Sequence, residues 1–274
     1  MKLFSIIGSL FSLIQTVVSF NITQLEIGVW LSGAAYCDKS EYPTMNLAGP
    51  ADGFIYKETL YDPKTDLNGY IGVLPSTRTI YVVIRGTNSL LNWVDDLEVR
   101  FTPYADCDCN VHTGFYNSVL QIANKTRYTI RFLKARYPFY SIISTGHSYG
   151  AATSALLALE IQKDGFPVDI YNYGQPRIGD AAFSQYANSQ IKNYWRTTHD
   201  KDMVPHLPPT DPFLYKHSTT EIFEDEMHEL HICSFTNGED PECSAQYSLK
   251  QTNTDDHSYY LEHFFDCSAS TQPI

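Results

Sequence analysis

The chain has 274 residues, 43% of them hydrophobic, and a formal charge of −12 at pH 7. That length and apolar content suit one large globular domain with a sizeable core. The negative charge argues against nucleic acid or an anionic membrane as partner, because both would repel such a surface.

Residues 1–19, "MKLFSIIGSLFSLIQTVVS", carry one early lysine, an apolar centre and small residues at Val17 and Ser19. They read as a cleavable secretory signal, which leaves 20–274 as a single domain. A membrane-spanning helix needs about 20 predominantly apolar residues, and no later segment supplies an uninterrupted run. The expectation is an exported, soluble protein. Two N-glycosylation sequons start at Asn21 and Asn124.

Six cysteines in an exported chain point to disulfides, though number alone leaves many pairings open. Cys233 and Cys243 bracket the turn-rich "SFTNGEDPE", Cys107 and Cys109 are separated by one residue, and Cys37 and Cys267 lie near the two ends of the mature chain. A zinc site on Cys107, Cys109 and His112 would lack a second half, so no metal is expected.

Along the chain, "TIYVVIR" (79–85), "YSIIST" (140–145) and "VDIYNYG" (168–174) read as buried strands of a parallel sheet. Between the first two, Val119, Ile122, Ala123, Ile130 and Leu133 fall on one helical face, and Pro138 ends the run. The stretch after Ser148, "YGAATSALLALEIQKDG", reads as a helix closed by Gly165. Strands alternating with helices indicate an α/β fold with helices on both faces of a mostly parallel central sheet.

Gly146-His147-Ser148-Tyr149-Gly150 has the G-x-S-x-G pattern of a nucleophile elbow. Its glycines allow a strand-to-helix turn too tight for bulkier side chains, and the turn exposes the serine hydroxyl. A serine at neutral pH needs a base, itself oriented by a carboxylate, and in α/β-hydrolases these follow in the order Ser, Asp or Glu, His. "HDKDMVPHLPP" (199–209) offers Asp200 and Asp202, and "TDDHSYYLEH" (254–263) offers His257 and His263. Order alone does not choose among them. "HELH" (228–231) spaces its histidines three apart, whereas the helical zinc-protease motif needs four.

"VVIRGTNSLLNWVDDL", "VHTGFY", "TGHSYGAA", "YGQPRIGD", "KDMVPHLPP" and "DDHSYY" occur together in this order. In these motifs the chain resembles the fungal secreted lipases of the class 3 family, from about Gly33 to Cys267, and is somewhat less similar to feruloyl esterases of the same scaffold. The resemblance implies the α/β-hydrolase fold, Ser148 as nucleophile, Asp202 as the carboxylate and His257 as the base. Here Ser258 follows His257 directly, where the family often has one more residue, which leaves His263 as the alternative base.

By the same resemblance, Thr87 and the backbone N–H of Tyr149 form the oxyanion hole, and Asp96 supports the loop. Leu90, Leu91, Trp93 and Val94 belong to a lid helix whose apolar side covers the site in water and turns toward lipid. Cys233 pairs with Cys243 and Cys37 with Cys267, while relatives space the other two cysteines as C-x-x-C, which leaves a Cys107–Cys109 bridge open. The activity implied is hydrolysis of triacylglycerol at a lipid–water interface by a secreted monomer without cofactor. Feruloyl esterase, phospholipase or galactolipase activity, and a non-catalytic interaction module, are the alternatives.

Overall fold

The computed structural model describes residues 20–272 apart from Asn88 and Asp96, so the expected leader at 1–19 lies outside the described residues. The first helix, α1 (Ile22–Ala34), starts at Asn21, whose side chain accepts the Gln24 N–H. Three strands follow: β1 (Ile55–Asp62), β2 (Leu67–Leu74) and β3 (Thr79–Ile84). A short helix α2 (Leu90–Asp95) leads to a hairpin of β4 (Phe101–Tyr104) and β5 (Cys109–His112), then to the long α3 (Thr113–Arg136). His112 caps α3 by accepting the Phe115 N–H, and Lys134 and Arg136 sit in its last turn, where cations suit the helix dipole.

Next come β6 (Ser141–His147), α4 (Tyr149–Gln162), β7 (Asp169–Tyr173), β8 (Gly179–Asp180), α5 (Ala181–Gln190) and β9 (Tyr194–His199). The chain closes through β10 (Tyr215–Lys216), β11 (Glu221–Glu224), β12 (Leu230–Ile232) and a C-terminal hairpin of β13 (Tyr259–Tyr260) and β14 (His263–Phe264). The eight-stranded sheet has the order β1-β2-β3-β6-β7-β9-β11-β12. From β3 to β11 it is parallel, and at its edges β1–β2, β2–β3 and β11–β12 pair antiparallel.

The sheet is covered on both faces, which is why β2 and β3 are buried along their whole length. Alternation still divides the side chains: Ile80, Val82 and Ile84 enter the core with α3 and α4, while Tyr81 and Val83 enter the one with α1. The three expected strands and two expected helices are present, except that α4 ends at Gln162, short of Gly165. The smaller sheet, ordered β10-β8-β5-β4, has no counterpart in the sequence reading. In "HELH", His228 lies at the end of a turn with φ 61°, and of the two histidines only His231 is in β12. Among the described residues no helix is long and apolar enough to cross a membrane.

Candidate active site

β6 delivers Ser148 to the C-terminal edge of the parallel strands, and α4 begins at the next residue. Ser148 sits at φ 60° and ψ −131°, a conformation most side chains avoid. The flanking glycines are required by space: a Cβ on Gly146 would lie 2.5 Å from the Gly150 carbonyl oxygen, and one on Gly150 would lie 2.2 Å from that of Ile84. The Ser148 N–H donates to the Tyr173 carbonyl at 3.0 Å, which ties the turn to β7. Its Oγ is buried and has no hydrogen-bond partner, and the same is true of Nε2 of His257.

His257 comes from a short turn before β13, and its Nδ1 meets Oδ2 of Asp202 at 2.8 Å. Asp202 follows β9 and is almost wholly buried, so its charge must be satisfied by donors. Three groups do this: His257 Nδ1, the Val204 N–H on Oδ1 at 2.8 Å, and the Tyr260 hydroxyl on Oδ2. Burial and then the Asp202 charge raise the Tyr260 phenol well above its ordinary range, so it remains a donor. Gly174, at φ 54°, lies against this pair: a Cβ there would fall 2.8 Å from His257 Cε1 and 3.0 Å from Asp202 Oδ2.

His147 supports the same turn from behind. Its Nε2–H donates to the His257 carbonyl at 2.8 Å and its Nδ1 accepts the Tyr36 hydroxyl at 2.7 Å, so a single tautomer satisfies both contacts. The ring stacks on Phe265 at 3.7 Å, and burial holds it well below the usual histidine range, keeping it neutral.

A cavity of about 230 Å³ is lined by Ser148, His257, Thr87, Leu90, Tyr36 and Phe265. Thr87 also borders a second cavity of about 520 Å³, which Trp93, Phe115 and Tyr149 line. The Tyr149 phenol is buried without a partner and is pushed up to about 12 by that burial. Tyr149 N–H belongs to the first turn of α4, where amide groups lack helical acceptors.

In α2, Leu90, Trp93 and Val94 are half-buried, and Trp93 stacks toward Phe115 with centroids 6.3 Å apart. Leu91 is 64% exposed, so the expected hiding of the apolar side is incomplete. Asp96 lies outside the described residues. Ser148, Asp202 and His257 are thus brought together, and the rival candidates are not. His263 bonds Ser270 Oγ at 2.8 Å and stacks on Trp30, while Asp200 accepts from Tyr247 and Lys201. Tyr36, His147 and Tyr260 escaped the sequence reading, although Tyr260 lies within "DDHSYY" and His147 within the elbow itself.

The structure joins Cys37 to Cys267, Cys107 to Cys109 and Cys233 to Cys243. Both sequon asparagines, Asn21 and Asn124, are exposed.

The parallel sheet, the helices on its two faces and the serine at a strand-to-helix elbow define an α/β-hydrolase. The class 3 lipase family model matches residues 81–211. A lipase of Rhizomucor miehei is 34% identical over 206 residues, 72% of this chain and 55% of that protein. A secreted mono- and diacylglycerol lipase of Fusarium solani is 32% identical over 178 residues, 64% of this chain and 52% of that one. The chain therefore spans about half the length of these curated relatives.

Among solved structures, a triacylglycerol lipase described as having a serine protease triad at its catalytic centre superposes with a TM-score of 0.83 at 30% identity, covering 90% of this chain and 96% of that one. A lipase of Rhizopus microsporus var. chinensis gives 0.81 at 29%, covering 90% and 89%. The chain belongs to the class 3 lipase family.

Proposed function

We propose that this protein is a secreted serine lipase that hydrolyses acylglycerol esters at a lipid–water interface. The observation that carries this reading is the pairing of two buried, unpartnered atoms, Ser148 Oγ and His257 Nε2, on one cavity, with Asp202 behind the imidazole. His257 Nδ1–H held by Asp202 leaves Nε2 with the lone pair, which is the tautomer a general base needs.

Ser148 Oγ attacks the ester carbonyl as His257 Nε2 takes its proton. The oxyanion is held by the Tyr149 N–H and by Thr87, whose half-buried side chain borders the Ser148 cavity. The imidazolium then gives its proton to the departing alcohol, leaving an acyl-serine. Water repeats the sequence, releasing the acid and restoring Ser148. This route needs no cofactor.

The lipid preference is supported by α2, whose Leu90 reaches the Ser148 cavity while Leu91 faces solvent. An apolar segment over a site is suited to turning toward a lipid surface. Export is supported by the apolar leader at 1–19 and by the secreted lipases named among the relatives. Asn21 and Asn124 are the glycan acceptors, and the enzyme works as a monomer meeting lipid transiently.

The test compares emulsified triolein, a short-chain soluble ester and methyl ferulate as substrates. Preference for the emulsion supports the reading. Preference for ferulate or the soluble ester, or no rise in activity above the solubility limit, contradicts the lipid assignment.

A further inference from the structure

We propose that His199, Glu224 and His228 form a binding site for one divalent transition-metal ion of the zinc class, and that the ion clamps the segment carrying His257. One potential ligand atom from each of the three residues lies within 4.8 Å of the others. Two imidazoles and a carboxylate are a donor set suited to zinc and its neighbours rather than to magnesium or calcium. The spacing that disqualifies His228 and His231 from a helical zinc motif does not bear on this set, because the other two ligands come from elsewhere in the fold.

Rigid elements place two of the three. His199 and Glu224 are the last residues of β9 and β11 and are direct partners in the parallel ladder. His228 returns from the turn before β12 at φ 61°, and its Nδ1 lies 2.8 Å from Glu224 Oε1. In such a contact a proton stands between nitrogen and carboxylate where an ion can replace it. The Glu224 side chain is wholly buried, whereas that of His228 is 36% exposed, which leaves an open side for entry and for a water ligand.

The surroundings orient the ligands as metal sites require. His199 Nδ1–H donates to the Asp256 carbonyl at 3.1 Å, which leaves its Nε2 with the lone pair. Both Glu224 oxygens accept the Leu261 N–H, at 3.0 and 2.9 Å. Asp256 and Leu261 flank His257 in sequence. An ion fixing His199 and Glu224 therefore fixes both ends of the turn that presents the imidazole to Ser148.

This inference is independent of the ester-hydrolase reading, because its readouts are binding and melting rather than activity. Zn²⁺ alone is titrated into metal-stripped protein by calorimetry, with Co²⁺ as a second probe for the visible absorption of a tetrahedral site. The diagnostic variant is His228→Asn, since asparagine tolerates the left-handed backbone and lacks the imidazole. The control is His231→Ala, in the adjacent, more exposed group of Asp225, Glu229 and His231.

The expected result is one Zn²⁺ per chain and a Zn²⁺-dependent rise in Tm. Loss of a direct ligand in His228→Asn should weaken binding by more than the roughly 10- to 100-fold that supporting residues cost, and His231→Ala should bind as wild type. Equal melting of the metal-free His228→Asn and wild-type proteins establishes that the variant is folded. His199→Gln, read in the same way, replaces it if it is not. No saturable binding to wild type, wild-type affinity in the folded ligand variant, or loss of binding in His231→Ala would overturn the proposal.

Discussion

Asp202 shows how a buried charge is made useful. Its carboxylate is out of water, yet His257, Tyr260 and the Val204 N–H each donate to it, and in the proposed mechanism it fixes the imidazole tautomer. Asp202→Asn should keep the shape and lose the orientation. The expected outcome is a drop in kcat of about 10⁴-fold with little change in KM, measured on a soluble ester; a loss under tenfold would remove Asp202 from the proposed role. At this scale the motif positions single out Ser148, Asp202 and His257, and the fold brings those three together. Tyr36 and His147 meet across 111 residues of sequence and Tyr260 and Asp202 across 58. Contacts of that kind are made by tertiary packing and leave no local pattern to read.

At the scale of elements, the parallel strands and α4 are legible because burial on every side gives continuous apolar runs, and α3 because burial on one side gives helical periodicity. The hairpin β4–β5 is not, since its strands are four residues each and carry Pro103 and the bridged Cys109 rather than an alternating pattern. The helix α2 reads as amphipathic in sequence, but the structure buries Leu90 and Trp93 only partly and leaves Leu91 in solvent. Six residues are too few to satisfy every apolar side chain against one surface. If α2 contacts lipid, Leu91→Asp should lower activity on emulsified triolein by about 10- to 100-fold, in line with the roughly 1.5–3 kcal/mol that burying a leucine contributes. Hydrolysis of a soluble ester should be unchanged, and an equal fall on both substrates would rule out a role at the interface.

For the molecule as a whole, length and composition lead to the expectation of one large domain with a sizeable core. They did not reveal how many histidines the core holds neutral. Burial lowers His147 and His217 well below the usual range, and lowers His112 and His263 to about 4. In the unfolded chain these groups titrate near 6.5. Below that pH the unfolded chain binds protons that the folded one does not, so the stability they contribute is complete above about 6.5 and drains as pH falls toward about 4. Thermal melts across this range should show Tm falling steeply between those values. A Tm independent of pH down to 4 would contradict the account of a core built on neutral imidazoles.

In the proposed reaction Ser148 is the nucleophile and His257 activates it. The most direct test of this assignment is covalent labelling with an alkyl phosphonate ester, followed by mass spectrometry of the digested protein. The expected result is one label per chain on the peptide containing Ser148, none in Ser148→Ala, and labelling slowed by orders of magnitude in His257→Ala. A label on another serine, or labelling that survives Ser148→Ala, would contradict it.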